Sequence, residues 1–372
     1  MDTPACPLSS LPAEINNEGR VRKTMETSIV VIRPETEEED IKRAGDILKR
    51  GGLVAFPTET VYGLGGNALD AEASARIYAA KGRPSDNPLI VHIAAIEDLY
   101  GITEEVSGKA ELLAEAFWPG PLTMIFKKNE KVPYSTTGGL DTVAVRFPGH
   151  EIARKVIKAG GGYVAAPSAN TSGRPSPTEA AHVIEDLSGK IDMIVDGGSV
   201  GIGLESTIVD MSVDEPVILR PGYISQQMIE DVIGPVKMDA ALLSADSKAR
   251  PKAPGMKYKH YAPKADLVIV EGDPEKVIDR ISRLAEEAQA DGRTVGIICT
   301  EETVERYKTG IVKSAGTRSS EITIAQHLYG ILREFDELEV SQIYSEAFDT
   351  PKMGEAIMNR LIKAAGHQIM KV

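Results

Sequence analysis

At 372 residues, with hydrophobic residues at 42% and charged residues at 26%, the chain has an ordinary globular composition that argues against extensive disorder and is long for one compact core, so two domains are expected. A formal net charge of −13 argues against binding nucleic acid through bulk electrostatics, because phosphate neutralisation needs an excess of lysine and arginine, and leaves only a local basic patch open. The two cysteines, Cys6 and Cys299, make neither a disulfide framework nor a zinc site and point to a reducing compartment.

Residues 1–25 mix Pro, Ser, Asn and both charge signs without an apolar run, so they read as a flexible leader and not as a secretory signal. With no segment suited to a membrane span, a cytoplasmic location is expected. SIVVIRP reads as a strand. TEEEDIKRAGDILKRGG reads as a helix with Thr36 as N-cap, acids in its first turn, bases in its last and glycine at its end. Further strands are predicted at GLVAFPTE, PLIVHIA, LTMIFKK, TVAVRFP, GYVAAPSA, DMIVDGG, STIVDM and VILRPG, with helices around 71–80, 104–117, 151–159 and 178–187. Helices interleaved with strands indicate an α/β domain over 26–234, and strands that follow one another without a helix require a mixed sheet. Residues 235–264, rich in proline and cations and without an apolar period, read as a semi-extended connection. From 265 to 372 strand and helix alternate regularly, the pattern of a smaller Rossmann-like α/β domain. No G-x-G-x-x-G follows its first strand, so no dinucleotide is assigned to it.

Polar residues gather at strand ends and in glycine- or proline-marked turns: PTETVYGLGG, KGRPSDNP, VRFPGH, APSANTSGRPSP, GLESTIVD and LRPGY. Loops at strand ends are where α/β domains build their sites. Taken singly, each has a structural reading. Thr58 and Thr60 would cap a turn, Gly63, Gly65 and Gly66 would supply unusual backbone angles, and His92 would be a satisfied core histidine. Arg146 lies in an apolar strand on the face of Ala144, where a guanidinium needs a partner: either a substrate carboxylate or an internal Asp or Glu. Arg220 repeats this arrangement in the last strand of the domain. Lys81 and Arg83 beside Pro84 and Pro88 suggest a fixed anion receptor. With Arg220 and the donors Ser168, Asn170, Thr171, Ser172 and Ser176, they would neutralise a triphosphate without a Walker-type loop.

Lys81-x-Arg83 followed by Ser168-x-Asn170 resembles the K-x-R…S-x-N signature of the YrdC-like family, and PTETVYGLG, NPL, APSAN and ESTIVD resemble its other motifs in order. The resemblance spans about 29–234. The connection APGMKYKHYAP and the trailing α/β domain extend it to the two-domain threonylcarbamoyl-AMP synthases. It implies a twisted mixed sheet with a concave groove. It also implies a reaction of L-threonine, bicarbonate or carbon dioxide, and ATP to L-threonylcarbamoyladenylate and pyrophosphate. A threonylcarbamoyl transferase would then pass the group to an adenosine beside the anticodon of tRNA. By the same resemblance Lys81, Arg83, Asn87, Ser168, Asn170, Ser176, Arg220 and Tyr261 would hold ATP, with Mg2+ carried on its phosphates, and Thr60, His92, Arg146 and Ser206 would hold threonine. Catalysis would proceed by positioning, with Lys81 and Arg83 central and no acid or base assigned. The connection, carrying Lys257, Tyr258, Lys259, His260 and Tyr261 with Gly255 as hinge, is expected to fold over the pocket as a lid. Two rival readings are an RNA-binding module, disfavoured by the acidic total, and a carbamoyl-adenylating domain, whose accompanying zinc-finger cysteines do not occur here.

Overall fold

Strands and helices alternate much as the periodicity predicts in the computed structural model, which describes residues 25–239, 261–348 and 350–372. The first domain opens with β1 (Ser28–Val31), α1 (Glu37–Lys49) and β2 (Val54–Phe56). Glu37 to Asp40 in the first turn of α1 and Lys49 in its last match the helix dipole. Thr36 occupies the N-cap position, but its backbone is helical and its side chain makes no capping bond. β3 (Gly63–Asn67), α2 (Ala71–Lys81) and β4 (Ile90–His92) follow, then α3 (Gly108–Phe117), β5 (Leu122–Lys127) and β6 (Thr142–Arg146). α3 starts four residues later than expected, where Ser107 accepts a hydrogen bond from the Ala110 amide. α4 (Glu151–Ala159), β7 (Val164–Ala165), α5 (Ala180–Leu187), β8 (Met193–Asp196), β9 (Thr207–Asp210), β10 (Val217–Arg220), α6 (Gln226–Ile233) and β11 (Lys237–Met238) complete the domain.

These strands form one eleven-stranded sheet in the order β1-β8-β2-β3-β7-β4-β6-β5-β9-β10-β11. The sheet is mixed: β4–β6 and β5–β9 run parallel, β3–β7 and β5–β6 antiparallel. β11 pairs with β10, so the sheet continues past Gly234. The stretch GLGGN, read from sequence as a turn, is strand β3 in the middle of the sheet. None of Gly63, Gly65 and Gly66 has a positive φ. Space explains the glycine at 65, since a Cβ there would lie 2.7 Å from Phe56 Cε1 and 2.9 Å from Val164 Cγ1.

The second domain comprises β12 (Asp266–Glu271), α7 (Pro274–Ala290), β13 (Val295–Cys299), β14 (Ile311–Ser314), α8 (Glu321–Glu337), β15 (Gln342–Glu346), α9 (Gly354–Ala364) and β16 (Ile369–Lys371). Its five strands are all parallel, in the order β14-β13-β15-β12-β16. β14 and β16 are additions to the sequence reading, short edge strands with little apolar signal. β15 separates β12 from β13, whereas a dinucleotide-binding sheet sets its first two strands side by side. An apolar core from α8, α9 and β12 reaches across to Val61 and Leu204 of the first domain.

Candidate active site

α2 ends in the middle of the K-x-R motif. Its C-cap is Gly82, in the left-handed conformation with φ 62°, and the Arg83 amide returns to the Tyr78 carbonyl at 2.9 Å. This is the usual glycine stop of a helix. Lys81 is therefore the last helical residue and points inward, and Arg83 is the first residue of the following turn. The Arg83 guanidinium is held by the carbonyls of Asn87 at 3.2 Å and Pro88 at 3.0 Å. Lys81 is 2% exposed. Its Nζ donates to the carbonyls of Ser168 and Asn170, each at 2.5 Å, and to Asn170 Oδ1 at 3.3 Å, while its own carbonyl accepts from the Ser172 amide at 2.8 Å. The two halves of K-x-R…S-x-N thus touch directly. Burial, joined by the nearby Arg83, lowers the Lys81 pKa well below the ordinary lysine value. An anion arriving here would favour the charged form.

The loop after β7 is cross-tied. Ser168 Oγ donates to Asn170 Oδ1 at 2.5 Å, and Asn170 Nδ2 donates to the carbonyls of Thr171 at 2.9 Å and Arg174 at 3.0 Å. Ser176 Oγ donates to Glu205 Oε1 at 2.5 Å. Across the cavity, parallel pairing of β4 with β6 sets His92 beside Arg146. Arg146 Nη1 donates to Thr60 Oγ1 at 2.9 Å, and Nη2 lies 2.7 Å from Glu59 Oε1. That ion pair is in direct contact inside the protein. Burial works to raise the Glu59 pKa; Arg146 outweighs it and the net shift is downward. Of the two partners considered for Arg146, the structure shows the internal acid, Glu59, while Arg146 also lines the cavity. His92 is neutral, because burial first and Arg146 second bring its pKa down to about 3. Nδ1 sits 3.2 Å from the Ile90 carbonyl; a carbonyl only accepts, so Nδ1 carries the proton and Nε2 keeps its lone pair.

A register shift between Ile218 and Arg220 in the β9–β10 ladder interrupts strict alternation at Arg220. Arg220 Nε donates to the Ser206 carbonyl at 3.0 Å and Nη2 to Ser206 Oγ at 3.2 Å. Ser206 Oγ also lies 2.7 Å from Thr123 Oγ1. Tyr261 is buried at φ 64°, an unusual angle for a bulky residue. Its ring packs 5.3 Å from that of Tyr329, and the next amide, of Ala262, donates to the Gly173 carbonyl at 2.9 Å.

One cavity is lined by Thr60, Lys81, Arg83, His92, Arg146, Ser168, Asn170, Ser176, Ser206, Arg220 and Tyr261, so eleven site residues named from sequence converge. Asn87 does not line it. Its side chain is buried with Oδ1 unpartnered, and its carbonyl receives the Tyr78 hydroxyl and Arg83 Nε, which makes it a support for Arg83. Of the connection called a lid, Lys257, Tyr258, Lys259 and His260 lie outside the described residues. Among those described, no group of three or more His, Cys, Asp or Glu is placed to hold a metal ion, and no helix is long and apolar enough to cross a membrane.

Residues 46–222 match the Sua5/YciO/YrdC family model described as telomere recombination, and residues 224–366 match the model of the threonylcarbamoyl-AMP synthase C-terminal domain. The chain is 48% identical to the threonylcarbamoyl-AMP synthase of Pyrococcus abyssi, over 93% of this chain and 100% of that one. The chain belongs to the threonylcarbamoyl-AMP synthase family. To the synthase of Bacillus subtilis it is 50% identical over 90% of this chain and 96% of the relative. A crystal structure of P. abyssi Sua5 complexed with L-threonine superposes with a TM-score of 0.88 at 48% identity, covering 93% of this chain and all of that one. In this synthase family member, sequence reasoning had passed over Glu59, Arg174 and Glu205. Glu205 stands in the quoted ESTIVD and Glu59 in PTETVYGLG, so the signal was an acid inside a motif otherwise read for its hydroxyls.

Proposed function

We propose that the chain condenses L-threonine, bicarbonate or carbon dioxide, and ATP into L-threonylcarbamoyladenylate and pyrophosphate. The observation that carries this reading is a single cavity lined by four basic side chains, Arg146 at the end of β6 together with Lys81, Arg83 and Arg220. Arg146 suits a carboxylate because its planar fork donates to two oxygens, and Thr60, His92 and Ser206 surround the amine and hydroxyl of threonine. Nε2 of His92 accepts a hydrogen bond from one of them. The threonine amine adds to carbon dioxide and loses a proton, giving a carbamate. A carbamate oxygen attacks the α-phosphorus of ATP as pyrophosphate leaves. The protein contributes alignment and charge neutralisation and takes no covalent part.

Lys81, Arg83, Ser168, Asn170, Ser176, Arg220 and Tyr261 hold ATP in this reading. Mg2+ enters with the triphosphate: a hard cation that keeps several waters needs no protein cage, and the hydroxyl and carbonyl oxygens of the 168–176 loop suit its hydration shell. The product is then consumed by a threonylcarbamoyl transferase acting on tRNA. Pyrophosphate release by the purified chain, with each of ATP, Mg2+, bicarbonate and L-threonine omitted in turn, tests this. Release is expected only with all four and is lost in Lys81→Ala; release without threonine overturns the reading.

A further inference from the structure

The two largest fully buried side chains of the described residues, Arg333 and Arg360, belong to the second domain, yet apart from Asn359, which accepts from Arg360, the partners named here lie in the first. Arg360 on α9 donates from Nε to Glu205 Oε2 at 2.8 Å, from Nη1 to the Pro221 carbonyl at 2.8 Å and from Nη2 to the Glu205 carbonyl at 3.1 Å. Tyr329 on α8 adds its hydroxyl to the same carboxylate at 3.1 and 3.2 Å. Glu205 in turn receives Ser176 Oγ. Arg333 on α8 donates from Nη2 to Asp186 Oδ2 at 2.9 Å and to the Pro175 carbonyl at 2.7 Å, and Asp186 accepts from the Thr171 amide at 3.0 Å. Arg333 therefore grips the 168–176 loop from behind through the Pro175 carbonyl, and Arg360 reaches it one bond further on, through Glu205 and Ser176.

Stability alone does not account for this pattern. Buried ion pairs are often replaceable by apolar residues at no loss, whereas a rigid fork fixes distances between the groups it joins. Charge matters as well, since Glu205 lines the cavity and its carboxylate would repel a triphosphate. Burial works to raise its pKa, but Arg360 and Arg220 outweigh it and hold it at about 2. It stays ionised and must be neutralised by those two cations.

We infer that Arg360 and Arg333 are positioning residues for the nucleotide half of the site, so that the second domain forms the rear wall of the first domain's cavity and tunes its affinity for ATP. The inference rests on the adenylate-forming reading above. It is tested on the full chain by steady-state pyrophosphate release. Arg360→Met is expected to raise the KM for ATP about tenfold, leaving the KM for threonine within about twofold of the parent. Adding Glu205→Gln removes the uncompensated charge and is expected to restore most of the ATP affinity, a rescue that a merely structural role would not produce. Should Arg360→Met fail to fold, Tyr329→Phe removes only the hydroxyl on Glu205 and is expected to raise the ATP KM about threefold. Unchanged ATP KM in a folded variant, or equal rises for ATP and threonine without rescue, overturns the inference. A parent that releases no pyrophosphate in response to threonine fails the functional reading instead, which keeps the two failures separate.

Discussion

Arg146→Lys separates recognition of a carboxylate from the maintenance of charge. Lysine keeps a cation opposite Glu59, now 2.7 Å from Arg146 Nη2, but it lacks the planar fork that also reaches Thr60 Oγ1 at 2.9 Å. Losing one buried contact of this kind costs about 1–2 kcal/mol of stability. If Arg146 clamps the threonine carboxylate at two points as proposed, reduction to one point would remove a charge-assisted bond worth about 1.5–3 kcal/mol. That corresponds to a rise in the threonine KM of about 10- to 100-fold. Initial rates of pyrophosphate release at saturating ATP and bicarbonate, with threonine varied, give the number, and a urea titration gives the stability. Arg146→Met is a harsher control, because it strands a buried carboxylate and is expected to cost about 3 kcal/mol or more. The reasoning is refuted if Arg146→Lys leaves the threonine KM at the parent value, or raises the ATP KM by the same factor.

Gly82→Ala meets no atom within 4 Å but forces a Cβ onto a residue at φ 62°, so about 1 kcal/mol of stability should be lost in thermal unfolding. Because Gly82 separates the two cations of the motif, the ATP KM should rise as well. His92 makes the fold acid-labile. With the folded pKa near 3 and the ordinary value 6.5, the unfolded chain alone takes up this proton between those pH values. Stability should therefore fall as pH drops from 6.5 towards 3, at up to about 1.4 kcal/mol per pH unit, and show no pH dependence from this group above 6.5. His92→Gln should flatten that limb of the urea midpoint plotted against pH; an unchanged slope would show that His92 is protonated in the folded chain.

Much of the site was legible because its residues contradict their surroundings. Arg146 and His92 are polar residues in strands otherwise composed of Val, Ile and Ala, and burial of such groups demands partners. Lys81 and Arg83 were marked by the prolines that follow them. β3 was illegible because GLGGN lacks the branched and aromatic residues that mark strands; its glycines answer to Phe56 and Val164, which are distant in sequence. Nothing in the sequence says that the Asn87 carbonyl would also hold Arg83 and the Tyr78 hydroxyl. Arg333 and Arg360 gave no signal at all. On amphipathic helices they resemble solvent-facing charge, and only the docking of one domain on the other reveals them as interior.

The burial of Arg333 and Arg360 also fixes an order of events during synthesis. Domains generally fold as units, the N-terminal one first, so the eleven-stranded sheet would form while Asp186 and Glu205 still lack Arg333 and Arg360 and while the cavity still lacks Tyr261. The loop that carries Ser168 to Ser176 has its front contacts from Lys81 at that stage, but not those behind it. If the second domain tunes ATP affinity as inferred, full affinity would be reached only once α8 and α9 have closed the rear wall. A nascent chain holds a nearly finished pocket and waits for its last helices.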